Sequence, residues 1–281
     1  MSPPDREGQS GEPPSETGPS GETESVISAD QESLTSQYAA AYGRPYYSAG
    51  NIFLPFDETE QRRLDSLHRL LRVCLDGELT VVARIMWMDR IEVVDIGTGT
   101  GRWAVEMAAR YPGATIIGMD IAPIQARLVP ENVRFEIADV ETPWGIEPGT
   151  VDFIQVRALA GMIRDWPALA AQAFEKLKPG GLFEITDIRG KVLDFDGKFG
   201  EDEITPNLTK LFQQMAANVG TIFDPAPRLP GWLHDEAFEK VAQQTEIIPL
   251  GRWPRDKKLR AREKLATAMV LPWFRTYICS T

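Results

Sequence analysis

The residues best suited to chemistry lie between positions 91 and 101, in the stretch IEVVDIGTGTG. Apolar residues surround Asp95, and glycines then follow at alternate positions, Gly97, Gly99 and Gly101. A short apolar run that ends in glycines before a helical pattern predicts a buried strand, a tight turn and a helix start. Because glycine has no Cβ and tolerates positive φ, the backbone N–H groups of such a turn can approach a polar ligand closely. The turn therefore predicts a nucleotide-like ligand.

Two further acids follow the next two predicted strands. Asp120 closes a strand predicted over residues 114–120, and Asp139 follows one predicted over residues 133–138. In an open parallel α/β sheet, ligands bind outside the carboxyl ends of the strands. An acid after the second strand can accept both hydroxyls of a ribose, and one after the third strand can reach an adenine edge. Alone, Asp120 is equally typical of a helix cap and Asp139 of an ordinary loop; together they indicate a nucleoside site.

NAD is the obvious competing ligand for such a turn. The dinucleotide fingerprint is G-x-G-x-x-G, whereas the spacing here is G-x-G-x-G with Asp95 inside the preceding strand. A pyrophosphate would be repelled by that carboxylate, but the ammonium of a methionyl group would be attracted by it. The residues therefore favour S-adenosylmethionine over NAD.

Strands and helices alternate through the rest of this region, which predicts an α/β fold with a Rossmann-like, doubly wound, mostly parallel sheet of about six to seven strands. Predicted strands cover residues 91–96, 114–120, 133–138, 151–156, 182–188 and 246–250. Predicted helices beyond the fifth strand cover residues 206–219 and 236–244. The final PWFRTYICST either supplies an edge strand or leaves the sheet without one.

An N-terminal helical cap is predicted over residues 36–90. Asp57 with Glu60 three residues later is typical of a capping box that opens a helix. The expected apolar face of that helix comprises Leu64, Leu67, Leu71, Cys74 and Leu75, and the expected outward residues are Glu58, Arg62, Arg63, Asp65, Arg69 and Arg72. A tyrosine cluster before it indicates either a lid over the site or an aromatic patch that docks the helix; its members are Tyr38, Tyr42, Tyr46 and Tyr47.

Composition limits the remaining possibilities. The formal net charge of −11 disfavours nucleic-acid binding by bulk charge. Residues 1–35 are rich in Ser, Pro, Gly and Glu, which predicts a disordered acidic tail. Two cysteines are too few for a disulfide framework or a cysteine-based metal site, and no metal is expected. Without a long apolar run or a signal-peptide pattern, we expect a soluble cytoplasmic or nuclear protein that binds no membrane.

Several linked stretches resemble LaeA-like fungal proteins within the class I S-adenosylmethionine-dependent methyltransferases. They are VVDIGTGTGRWAVEMA, IIGMDIAPIQ, NVRFEIADVETPW, VDFIQVRALAGMIRDWP and KLKPGGLFEITD. The resemblance spans residues 38–253 and implies a cofactor-binding domain over residues 91–281 whose C-terminal part is shortened relative to the family. Carried over by motif, the implied cofactor-binding residues are Asp95, Gly97, Thr98, Gly99 and Gly101 around the methionyl part, Asp120 with Ile121 at the ribose, Asp139 and Val140 beside the adenine, and Arg157 closing the site.

The chemistry implied is methyl transfer to a small molecule in fungal secondary metabolism. Because the sulfonium makes the methyl group electrophilic, alignment is the main requirement, and a base is needed only for a protonated nucleophile. His68 on the cap helix is the candidate base, with a packed core histidine as the alternative. Arg157 either touches the ligand or pairs with a strand-end acid such as Asp95. The alternative function is a regulator that binds the cofactor but works through nuclear protein partners.

Overall fold

The computed structural model describes residues 22–24, 38–41, 43–47, 54–82, 90–189 and 204–278. In chain order its elements are β1 (Glu22–Glu24), β2 (Tyr38–Ala41), β3 (Arg44–Tyr47), α1 (Glu58–Cys74), β4 (Ile91–Ile96), α2 (Arg102–Arg110), β5 (Ala114–Asp120), β6 (Leu128–Pro130), β7 (Val133–Ile137), β8 (Val151–Arg157), α3 (Trp166–Lys176), β9 (Leu177–Thr186), α4 (Ile204–Asn218), α5 (Leu229–Asp235) and α6 (Lys257–Ile278). The predicted disordered tail lies outside the described residues except for β1, and Tyr42 lies outside them too.

Five parallel strands form the central sheet, in the order β7-β5-β4-β8-β9. β4 lies at the centre and pairs with β5 on one side and β8 on the other. Because the strand order reverses between β4 and β8, the connections after these two strands leave a crevice at their carboxyl ends. The predicted doubly wound parallel sheet is confirmed, but the expected count of six to seven strands is wrong, since the described sheet has five.

The core lies on both faces of this sheet. Val93 and Val94 of β4 have no exposed surface. Val93 packs in a cluster with Trp103 of α2, and Val94 packs in a second cluster with Trp166 of α3. A central parallel strand covered by helices on both faces must be apolar at its fully buried positions, and of the two acids in β4 Glu92 is partly exposed whereas Asp95 is buried. Asp95 is therefore the exception that requires a functional explanation.

Helix α1 begins where the sequence predicts. The Asp57 carboxylate oxygen Oδ1 accepts a hydrogen bond from the backbone N–H of Glu60 at 3.0 Å, which satisfies one of the free donors of the first turn. The same carboxylate accepts a bond of 2.7 Å from Arg44 Nη2. Since Arg44 belongs to β3, this ion pair ties the β2–β3 hairpin to the start of α1.

The opposite end of α1 is buried on more than one face. Leu67 and Leu71 line the crevice above the sheet, and Leu70 and Cys74 pack against Ala266 of α6. A helix between two layers needs apolar residues over more than one stripe of its surface. α1 is therefore part of the folded domain and one wall of the crevice.

The C-terminal region differs from prediction in three places. Residues 236–244 do not form a helix, because Ala237 adopts a φ of 62° just after α5 ends. Residues 246–250 are not a strand; Glu246 pairs instead with Arg262 Nη1 at 2.9 Å, which holds this segment against α6. The stretch PWFRTYI continues α6, which opens with strong helix formers, and is not an edge strand.

Several smaller features were not predicted. Two short antiparallel pairs join β1 to β6 and β2 to β3. β9 begins at Leu177, five residues before the strand predicted over residues 182–188, and includes the residues KPGG. Residues 79–82 are irregular. In the described part of the chain, no helix is long and apolar enough to cross a membrane.

Replacing Gly101 by alanine should destabilise the fold strongly. A Cβ there would lie 2.3 Å from Phe135 Cζ of β7, and the residue has a φ of +77°. Overpacking and left-handed strain together should lower the free energy of unfolding by about 2–4 kcal/mol. The matched control is Gly149→Ala, where φ is +67° but nothing lies within 4 Å of the added Cβ, so only the strain of about 1 kcal/mol remains. Equal losses in urea unfolding of the two variants would contradict this packing.

Candidate functional site

A cleft of about 190 Å³ opens at the carboxyl ends of the central strands. Part of its lining comes from the carboxyl ends of the sheet strands and the turns that follow β4, β5 and β7. The rest comes from β3, residues 54–56, α1 and the loop after β8. The predicted site residues among its lining are His68, Asp95, Gly97, Thr98, Gly99, Asp120, Ile121, Asp139, Val140 and Arg157. Residues distant in sequence thus share one cleft.

Gly101 is the exception among the predicted residues. It is not among the described residues that line the cleft; it is buried, and its N–H donates to the Thr98 carbonyl at 3.0 Å. The space on its Cβ side is filled by Phe135. Its role in this structure is to let the turn pack onto the sheet.

The glycine turn is fixed to the neighbouring strand by two hydrogen bonds. The Thr98 N–H donates to the Met119 carbonyl of β5 at 2.9 Å. The Gly99 N–H donates to Asp120 Oδ2 at 2.7 Å. Gly97 and Gly99 have φ values of 67° and 58°, a region that side chains with a Cβ rarely adopt. The backbone of the turn is consequently rigid where it borders the cleft.

Asp120 is held in one orientation at the end of β5. Besides its bond to Gly99, its Oδ1 accepts the Ala122 N–H at 3.0 Å. Burial raises the pKa of this carboxyl, while the backbone N–H donors act in the opposite direction. A carboxylate has about four acceptor positions, so the backbone N–H groups of Gly99, Ala122 and Ile121 leave capacity for a further donor from the cleft.

Asp95 is buried at the end of β4, with 2% of its surface exposed. Its Oδ2 accepts a hydrogen bond of 2.6 Å from Thr98 Oγ1. Desolvation raises its pKa to about 6, against the lowering effects of that bond and of the nearby Arg157 charge. A cation placed beside this carboxyl would favour its ionised form.

Asp139 and Val140 form the far end of the cleft, after β7. Asp139 Oδ1 accepts the Glu141 N–H at 2.9 Å, and the Val140 carbonyl accepts Trp144 Nε1 at 2.9 Å. These local bonds fix a half-buried acid beside a buried apolar side chain. Such a polar and apolar rim suits the edge and face of a heterocyclic base.

His68 and Arg157 meet at the inner wall of the cleft. Arg157 Nη1 lies 3.0 Å from His68 Nδ1, and His68 Nε2 lies 3.2 Å from Glu106 Oε1 of α2. Burial, followed by the Arg157 charge, lowers the pKa of His68 to about 4. The imidazole is therefore neutral at physiological pH. Its general-base role stays a prediction, because Arg157 would first have to release Nδ1.

Three residues expected to point outward from α1 instead bind neighbouring elements. Asp65 Oδ1 accepts a bond of 2.9 Å from Thr100 Oγ1 of the glycine turn. Arg63 pairs with Glu60 on the cleft wall, and Arg72 pairs with Glu106 at 2.7 Å. The outward prediction is wrong at these three positions. No local pattern signalled the contact with Thr100, which lies 35 positions further along the chain.

Comparisons with known proteins identify the family of this chain. A model of the methyltransferase domain family matches residues 58–220, more than half of the chain. The protein named methyltransferase pytC of Aspergillus terreus is 34% identical over 245 residues, covering 86% of this chain and 74% of that protein. The protein-methionine methyltransferase laeA of Emericella nidulans is 30% identical over 258 residues, covering 86% and 67%. The solved phosphoethanolamine N-methyltransferase 2 of Haemonchus contortus, in complex with S-adenosyl-L-methionine, aligns at a TM-score of 0.48 and 16% identity, covering 83% and 54%.

The sheet order defines a Rossmann-like fold, with the cleft at the carboxyl ends of its strands. The chain belongs to the methyltransferase domain family, and S-adenosyl-L-methionine is the cofactor of its class. The predicted family, enzyme class and cofactor are confirmed. The residues of the cleft fit S-adenosyl-L-methionine, because the backbone of the glycine turn and three acids at neighbouring strand ends line the same cleft. A methyl acceptor is the partner that this reaction requires.

The buried Asp95 should make the stability of the unliganded protein depend on pH. Its pKa is raised from 3.8 to about 6, so the folded protein binds more protons than the unfolded chain between those values. Its contribution to stability therefore falls as pH rises towards 6 and is constant above. Asp95→Asn lacks this titration and should gain on the order of 2 kcal/mol over wild type between pH 4.5 and pH 7.5. Urea unfolding at the two pH values checks this; a pH-independent difference would contradict it.

Proposed function

We propose that this protein transfers the methyl group of S-adenosyl-L-methionine to a small, largely apolar molecule in fungal secondary metabolism. The observation that carries the proposal is the division of one cleft into two halves. The half at the strand ends is lined by backbone and acids, and the half beneath α1 and the hairpin is mainly apolar. The first half suits the cofactor and the second suits an acceptor.

In the cofactor half, the chain's own groups complement each part of S-adenosyl-L-methionine. Asp120 accepts from the ribose hydroxyls, since its backbone bonds do not fill all of its acceptor positions. Asp95 faces the methionyl ammonium, together with the turn at Gly97, Thr98 and Gly99. The remaining contacts are Ile121 at the sugar, Asp139 and Val140 at the adenine, and Arg157 at the closed end. When bound, the cofactor supplies an electrophilic methyl group.

In the acceptor half, apolar side chains dominate. Leu54, Phe56 and Leu67 form one wall, and Met162 of the loop after β8 lies in the other. The nearby Glu60 carboxylate is already bonded by Arg63 through contacts of 2.6 to 2.9 Å. Neutralised charges and apolar walls favour an acceptor with little charge. The walls would align the nucleophile and exclude water, which is the main contribution a protein makes to methyl transfer.

The setting in secondary metabolism rests on relatives. A Monascus pilosus relative is named secondary metabolism regulator laeA, and the pytC relative is named a methyltransferase. The regulator name supports a second candidate function, in which the cofactor-binding domain acts through nuclear protein partners. Capture of partners with full-length protein and with residues 1–35 deleted would weigh this candidate. Partner loss on deletion favours the regulator, whereas a methylated small molecule found only in cells with the gene favours the enzyme.

Replacing Asp120 by alanine should weaken binding of S-adenosylhomocysteine tenfold or more, about 1.4 kcal/mol. The reason is that the variant loses both the ribose acceptor and the bond that orients Gly99. Isothermal titration calorimetry measures the change directly.

Asp152→Ala is the matched control for this variant. Asp152 Oδ2 also accepts a backbone N–H, from Glu92 at 2.9 Å, but lies at the amino end of β8, away from the cleft. We expect this variant to keep wild-type affinity. Unchanged affinity in Asp120→Ala would remove Asp120 from the site.

A further inference from the structure

The contact between His68 and Arg157 has only one arrangement of hydrogens. A guanidinium has donors and no acceptor, so His68 Nδ1 must accept the bond of 3.0 Å from Arg157 Nη1. The neutral imidazole then carries its hydrogen on Nε2, which faces Glu106 Oε1 at 3.2 Å. The other Glu106 oxygen is held by Arg72 Nη1 at 2.7 Å. The ring is thus held at Nδ1 by Arg157, and the Glu106 carboxylate lies near Nε2 without a hydrogen bond to it.

Arg157 lines the cleft near the glycine turn, so the orientation of its guanidinium affects a ligand bound there. Residues 93–96 of β4 pair with residues 153–156 of β8, so Arg157 lies beside the glycine turn that follows β4. Asp95, Glu184 and Glu106 surround it electrostatically, and burial lowers its pKa. A long side chain drawn towards several acids requires a directional contact to hold one pose. His68, with 7% of its side chain exposed, is the neutral acceptor that provides it.

We propose that His68 is a positioning residue for cofactor binding, in which its Nδ1 holds the Arg157 guanidinium towards the carboxylate of the methionyl group. This inference rests on the proposed cofactor site. It differs from the base hypothesis because His68 accepts no proton from the acceptor and acts only through Arg157. It also explains why a helix of the cap contributes a buried polar side chain to the inner wall of the cleft.

The test compares a ligand that has the amino-acid group with one that lacks it. His68→Ala should weaken binding of S-adenosylhomocysteine about tenfold and leave binding of 5′-methylthioadenosine within twofold of wild type. His68→Asn, whose amide oxygen can take the place of Nδ1, should restore S-adenosylhomocysteine affinity to within threefold. Arg62→Gln, on an exposed turn of the same helix, is the control and should change neither affinity.

Each outcome separates the alternatives. Equal weakening for both ligands in His68→Ala would indicate general disruption of the cleft and overturn the positioning role. Unchanged affinity for both ligands would also overturn it, and a loss of turnover alone would then favour the base. If the wild-type protein binds neither S-adenosylhomocysteine nor S-adenosyl-L-methionine, the proposed cofactor site itself fails, which is a result distinct from failure of His68.

Discussion

The hydrogen bond from the Gly99 N–H to Asp120 is the interaction on which the site depends. It joins the turn after β4 to the end of β5 at 2.7 Å, so the two central strands present one continuous surface to the cleft. The turn can come this close because Gly101 lets it settle onto Phe135. From the opposite side, Asp65 of α1 binds Thr100 of the same turn. Hydrogen bonds therefore join the glycine turn both to the sheet and to α1.

Charged side chains collect at the carboxyl end of the sheet because its strands are parallel. Parallel strands place Asp95 and Asp120 at neighbouring ends, and the charge of Arg157 from β8 acts on Asp95. Burial alone would favour the neutral form of Asp95, as its raised pKa shows. A zwitterionic amino-acid group supplies both an ammonium for the acid and a carboxylate for the arginine. In the proposed cofactor complex, such a group would meet both charges.

Local sequence patterns were sufficient for the elements that border the cleft. β4 and β5 have the predicted bounds, and Asp57 caps α1 as the capping-box spacing indicates. Strand-end acids could be placed in one cleft because consecutive parallel strands share an edge. Strand bounds and the helix cap are local signals. The grouping of the acids follows from the parallel topology, which the alternation of strands and helices predicts.

The remaining features depend on contacts between distant residues. His68 meets Arg157 across 89 positions, and nothing in the helical periodicity of α1 distinguishes this contact from ordinary burial. The sequence predicts that Asp65 points outward from α1, because the apolar residues of that helix lie on another face. Residues 246–250 have strand-like composition, but their position is set by the ion pair of Glu246 with Arg262 of α6. Tertiary contacts overrode local preference at each of these places.

The most direct test of the account is a crystal structure of the protein with S-adenosylhomocysteine. We expect the ligand to lie across the turn formed by Gly97 and Gly99, with both ribose hydroxyls within hydrogen-bond distance of Asp120 and the amino-acid group between Asp95 and Arg157. A ligand bound in the cleft with its ribose away from Asp120, or bound elsewhere on the protein, would contradict it.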